Sequence, residues 1–191
     1  AEAGRHAVLR KAHPWQILYD DFFAEVERLR CLFAALIGAR SDDIALVPAT
    51  AYGIATAATN LPLKAGDNIV VPCSEHASTF HRWRVAATAS GAELREANIE
   101  NHRNWADAII AGIDRHTRIV SVPHVHWSDG RLFDLPRIGQ AARAVGAAFV
   151  IDGTQSIGAL PFSIDDLQPD FVTCSAYKWL LCPYGFGFLY V

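Results

Sequence analysis

Residues 147–156, AAFVIDGTQS, decide the fold. Ala147 to Ile151 are apolar without a break, and the run closes on Asp152, a glycine and three polar residues. A strand that alternates polar and apolar residues has one wet face, whereas an unbroken apolar run is buried on both faces, as in a parallel sheet covered by helices. The same shape recurs on either side: IALV at 44–47, NIVVP at 68–72, RIVSVP at 118–123 and DFVTCS at 170–175. Between these runs lie stretches with helical spacing, at Tyr52–Asn60, Ala77–Ser90, Trp105–Ile113 and Leu135–Val145. Alternating strands and helices predict a three-layer α/β domain: a mostly parallel sheet with helices on both faces. Upstream, Ile17, Leu18, Phe22, Val26, Leu29, Phe33 and Leu36 recur at helical spacing from Pro14 to Ile37, and Gly38 supplies the stop. Residues 1–40 therefore read as an N-terminal helical segment and 41–191 as the large domain.

Composition narrows the function classes. With 51% hydrophobic and 19% charged residues, the chain is globular and has no disordered tail. A formal charge of −3, with acids and bases interspersed, leaves no footprint for nucleic acid or an anionic membrane. No apolar run approaches a membrane span, and the first residues carry no signal-peptide pattern. Cys31, Cys73, Cys174 and Cys182 are scattered without a CxxC pair, so a reducing cytoplasm is expected. The chain has no methionine and stops on FGFLYV, itself a strand pattern, so it is expected to be a fragment.

In an open α/β sheet, ligands bind beyond the carboxyl ends of the strands. Those ends carry the polar residues here. PAT after IALV brings Thr50, CSEHAS brings His76, HVHWSDG brings His124 and His126, DGTQS brings Asp152 and Gln155, and CSAYK brings Ser175 and Lys178. Of the three lysines, Lys11 and Lys64 sit in polar stretches, whereas Lys178 stands among Tyr177, Trp179, Leu180 and Leu181. An amine held against apolar walls is costly as an ammonium and is the type that attacks carbonyls. The alternative for Lys178 is a lysine that snorkels to the surface.

A pyridoxal 5′-phosphate site needs an amine for the aldehyde, a carboxylate for the pyridine nitrogen, a flat group on the ring, and hydroxyls with helix-start amides for the phosphate. This rim can supply all four, with Lys178 as amine, Asp152 as carboxylate and Gln155 near the ring hydroxyl. His76 would be the stacking group, and the turn Ala49–Thr50–Ala51 together with Ser175 would form the phosphate end. At LVPATAYGI, SEHAS, VIDGTQSIGALPFSI and DFVTCSAYKWLLCPYGFGFLYV the chain resembles the class V aminotransferases of the fold-type I pyridoxal-phosphate enzymes, a family that includes cysteine desulfurases and isopenicillin N epimerase-like proteins. The resemblance runs from Tyr19 to Val191 in the family's order and spacing.

The resemblance implies an enzyme acting on an α-amino acid through a Schiff base at Lys178, with transamination as the default reaction and desulfurase, carbon–sulfur lyase or epimerase chemistry as the alternative. It implies Lys178, Asp152 and His76 as catalytic residues, and Thr50, Ala51, His76, Asp152, Gln155, Ser175, Tyr177 and Lys178 as cofactor contacts. It also implies a homodimer closing the phosphate end, no metal, and a small C-terminal domain that this stretch does not include. Two positions depart from the family pattern. Ala51 replaces a second phosphate hydroxyl, and His126-Trp127 stands where desulfurases read Ser-Asn. Two readings from other classes remain at this point: an inactive descendant kept as an interaction module, and a metal-dependent hydrolase using His124 and His126 with Asp129. The cysteines flanking Lys178 read as inert packing.

Overall fold

A computed structural model describes residues 2–191. Every apolar run singled out above forms a strand: β1 Ile44–Val47, β2 Asn68–Pro72, β4 Thr117–Pro123, β5 Ala148–Asp152 and β6 Phe171–Ser175. Two more complete the sheet, β3 Glu93–Ala97 and β7 Gly187–Tyr190. Among the described residues the strands lie in one sheet of order β1-β7-β6-β5-β4-β2-β3. Pairings from β3 across to β6 are all parallel, and β7 runs antiparallel between β6 and β1. Pro123 is in register with Asp152, and Asp152 with Thr173, so the carboxyl ends of the central strands form one level rim.

The helices are α1 Glu2–Lys11, α2 Asp21–Ile37, α3 Thr50–Asn60, α4 Ala77–Ser90, α5 Trp105–Gly112, α6 Leu135–Ala144 and the single turn α7 Ile164–Leu167. They divide between the two sheet faces as the doubly buried strands require. On one face Phe33 and Ile37 of α2, Ile109 of α5, Ile138 of α6 and Leu167 of α7 cover Val70, Val120, Phe149 and Val172. On the other, Ile54 and Ala57 of α3 and Trp83 and Ala87 of α4 cover Ile69, Val71, Ile119 and Val150. Successive residues of one strand, such as Ile69 and Val70, thus enter different cores. Three layers result.

Local chemistry sets the helix ends. Asn104 and Asp134 accept hydrogen bonds from the backbone N–H of Asp107 and Arg137, at 2.9 and 3.3 Å, and so cap α5 and α6. Gly38, with φ of 74°, closes α2 in the left-handed conformation that a side chain resists. Helix α3 lies so near β6 that a Cβ on Gly53 would overlap the Thr173 side chain, coming within 2.8 Å of its Cβ. That close approach brings the start of α3 onto the rim.

One expectation needs correction. The helix drawn from Pro14 begins at Asp21. Pro14–Gln16 is a short 3-10 turn, and the Leu18 N–H donates to the Asp21 carboxylate at 2.8 Å. Apolar spacing runs unbroken through this turn, but Trp15, Leu18 and Phe22 are exposed, and α2 buries only Phe33, Ala34 and Ile37. Trp83 of α4 is fully buried in the core.

Candidate active site

The carboxyl ends of β1, β2, β4, β5 and β6 surround a cavity of about 240 Å³. Thr50, Ala51, His76, Asp152, Gln155, Ser175, Tyr177 and Lys178 all line it. Glu75, Ser78, Trp127 and Thr154 line it as well. The first eight are the residues singled out from sequence. Of the other four, only Trp127 had drawn notice, as a departure from the family pattern.

Thr50 is the first residue of α3 and is buried. Its hydroxyl lies 2.7 Å from that of Ser175 and 2.8 Å from that of Thr154. The Thr50 N–H donates to Ser175 Oγ at 3.3 Å, and the Ser175 N–H donates to Thr154 Oγ1 at 3.1 Å. Three hydroxyls from three separate elements therefore meet at one helix start, where the aligned peptide dipoles favour an anion. Ala51 brings no side-chain donor to this corner.

Asp152 ends β5, and its Oδ1 accepts from the Thr154 N–H at 2.9 Å. Burial pushes its carboxyl above the usual range, opposed by the Thr154 hydrogen bonds and by the positive charge of His76 and Lys178. Such a group favours a cation brought against it. Lys178 Nζ lies 5.7 Å from the ring centre of Tyr177, which itself stacks on Tyr184 at 4.4 Å. The apolar surroundings expected from its chain neighbours are only partly there. Trp179 and Leu181 turn outward and are exposed, and the Trp179 indole N–H donates to the Gln155 carbonyl at 2.8 Å.

His76 precedes α4, and its Nδ1 lies 2.8 Å from Ser78 Oγ and accepts from the Ser78 N–H at 3.4 Å. The ring stands edge-on to Trp127, with centroids 5.4 Å apart at 89°, and the Trp127 indole donates to the Ser74 carbonyl at 2.7 Å. Trp127 thus fastens the β2–α4 loop to the segment after β4. Glu75 is buried in the same loop. Its Oε1 accepts from the His76 N–H at 2.6 Å, and its Oε2 meets no hydrogen-bond partner among the described residues.

The two strand-end histidines of HVHWSDG part company. His124 lines a second cavity with Phe133, Asp134 and Phe162, where burial lowers its pKa. His126 is buried against Trp105, with ring centroids 5.1 Å apart, and its Nδ1 pairs with Asp129 at 3.2 Å. Among the described residues no three His, Cys, Asp or Glu side chains gather as metal ligands would. Burial pushes the Cys174 thiol well above its ordinary value, which leaves it unreactive.

The lysine, the carboxylate and the hydroxyl-lined helix start thus share one cavity at the carboxyl rim of a three-layer α/β sheet. The sequence pattern of the family described as Aminotransferase class-V matches residues 6–191. The chain belongs to that family. A probable cysteine desulfurase of Methanothermobacter thermautotrophicus is 32% identical over 171 residues, covering 87% of this chain and 42% of that protein. The isopenicillin N epimerase of Streptomyces clavuligerus is 28% identical, covering 94% of this chain and 46% of the epimerase. Among solved structures, the apo cysteine desulfurase of Thermococcus onnurineus NA1 superposes with a TM-score of 0.78 at 30% identity, over 86% of this chain and 42% of that one. The cystine C-S lyase C-DES, in complex with its product cysteine persulfide, gives 0.87 over 99% of this chain and 52% of the lyase. At 22% identity that likeness is one of fold. The chain spans about half the length, or less, of the relatives it matches.

Enzymes of this family use pyridoxal phosphate. The donor set fits that group: an amine for an aldehyde, a carboxylate for a pyridinium, and buried hydroxyls at a helix start for a phosphate.

Proposed function

We propose that this chain carries the cofactor site of a pyridoxal-phosphate enzyme that breaks the carbon–sulfur bond of a cysteine-like amino acid. The observation that carries the cofactor reading is the convergence of Lys178, Asp152 and the Thr50–Ser175 hydroxyl pair on one cavity. Sulfur chemistry, in preference to transamination, is supported by the relatives named as cysteine desulfurases, at 31–32% identity. Bound pyridoxal phosphate supplies an electron sink for the charge left when a substrate bond to Cα breaks. Lys178 Nζ is the amine that holds an aldehyde and, once displaced, moves the proton at substrate Cα. Asp152 keeps a pyridine nitrogen protonated by its charge. His76, fixed by Ser78 and Trp127, supplies a flat ring against the cofactor's face. Thr50 and Ser175 orient the phosphate. Among the described residues no cysteine lines the cavity.

The test is to add pyridoxal phosphate to the purified protein and follow its visible absorbance, then offer cysteine, or alanine with 2-oxoglutarate. Binding with sulfide release from cysteine is expected, and Lys178→Ala should abolish both the shifted absorbance and turnover. Amino-group transfer without sulfide would overturn the sulfur reading alone. A protein that binds no cofactor would overturn the whole.

A further inference from the structure

The cavity holds one side chain that touches both ends of the site. Thr154 lies two residues past Asp152 and is 8% exposed. Its backbone N–H donates to Asp152 Oδ1 at 2.9 Å, while its hydroxyl lies 2.8 Å from that of Thr50 and accepts from the Ser175 N–H at 3.1 Å. Ala51 brings no hydroxyl beside Thr50, and Thr154 supplies one from the turn after β5.

Proton counting shows what this contact does. The three hydroxyls of Thr50, Thr154 and Ser175 have one proton each and share two O···O hydrogen bonds. Two protons are spent inside the cluster, and one remains to be given outward. The Ser175 oxygen also takes the Thr50 N–H. Whichever of the three hydroxyls keeps the outward proton, each bond in the chain strengthens the next. Without the Thr154 hydroxyl, Thr50 loses its partner and the buried Ser175 N–H loses its acceptor, at the cost of an unsatisfied polar group.

Resting on the cofactor reading above, we infer that Thr154 is the positioning residue of the anion end: its hydroxyl orients the Thr50–Ser175 pair toward a phosphate ester, while its backbone ties that end to Asp152. Its action falls on the phosphate and not on the aldehyde or ring. This separates it from a residue that only supports the fold.

The experiment compares affinity for pyridoxal phosphate with affinity for pyridoxal, which lacks the phosphate, by absorbance titration of the purified protein. Thr154→Val keeps the shape and the backbone N–H but removes the hydroxyl. It should weaken pyridoxal phosphate about tenfold, the loss expected for one buried hydrogen bond, and leave pyridoxal within about a factor of two. Thr154→Ser should keep the parent's preference for the phosphorylated form. If the valine variant does not fold, the same ratio is read on Thr154→Ala against Thr154→Ser. Equal loss for both ligands, or no loss for either, overturns the inference while the cofactor reading stands. A parent protein that binds neither ligand overturns both.

Discussion

Glu75 and Asp152 place two carboxyl groups around one cavity, and only one of them has a cation to meet in the proposed chemistry. Burial, reinforced by the charge of Asp152, pushes Glu75 from an ordinary 4.5 up to about 8, although the His76 N–H pulls the other way. Glu75 is therefore a neutral acid at neutral pH. In the unfolded chain it loses its proton near pH 4.5, whereas the folded protein holds that proton until about pH 8. Between those values the unfolded state binds fewer protons, so stability falls as pH rises through the window and levels off above it. Glu75→Gln keeps the shape and removes this titration. Denaturant unfolding near pH 5 and near pH 8 should show the variant gaining on the parent at the higher pH, by an amount on the order of a few kcal/mol. A residual slope of the same sign is expected from Asp152, whose pKa is also raised. Parent and variant profiles that run parallel would mean Glu75 titrates as an ordinary surface acid.

At the scale of elements, the site depends on how closely α3 lies against β6. Gly53→Ala would press a methyl group into the Thr173 side chain and lift the start of the helix, where Thr50 meets Ser175. A stability loss of about 1–3 kcal/mol is expected from the overpacking, accompanied by weaker cofactor binding. An alanine variant that melts and binds like the parent would show that α3 can shift without cost. The elements also show what a reader of the sequence can and cannot see. Strands buried on both faces announce themselves by apolar runs, and their ends point to the rim, so Lys178, Asp152 and Thr50 are found together. β3 is different. It pairs only with β2 at the sheet edge, and its residues ELREA carry charges, with Arg95 held by Glu93 and Asp114 at 2.8 Å each. Edge strands are charged to discourage further pairing, and that erases the apolar signal. The start of α2 was misplaced for the opposite reason, because apolar spacing continued through a turn. Thr154 and Glu75 lie inside the quoted motifs DGTQS and SEHAS. Their importance is tertiary, since it comes from hydroxyls 104 residues away in one case and from burial in the other.

For the whole molecule, the exposed aromatic and aliphatic side chains next to the cavity bear on assembly. Tyr52, Trp179, Leu181 and Tyr184 present more than half of their surface to solvent, an apolar area of the kind that partners cover. The homodimer implied by the family resemblance would bury them beside the phosphate end. Sedimentation across a dilution series should then show cofactor loss in step with dissociation, and a monomer that retains pyridoxal phosphate as tightly would refute that arrangement. A different consequence follows from the antiparallel strand. Among the described residues β1 pairs with β7 alone, which lies between it and β6. During synthesis the first strand of the sheet must therefore wait for the seventh, and the hydroxyl contact of Thr50 with Ser175 spans 125 residues. Ile44 is in register with Tyr190, 146 residues later, so at ribosomal rates of roughly 5–20 residues per second that wait is about 7–29 s. Throughout it Ile44–Val47 remains an unpaired apolar edge, the state in which a nascent chain most needs a chaperone.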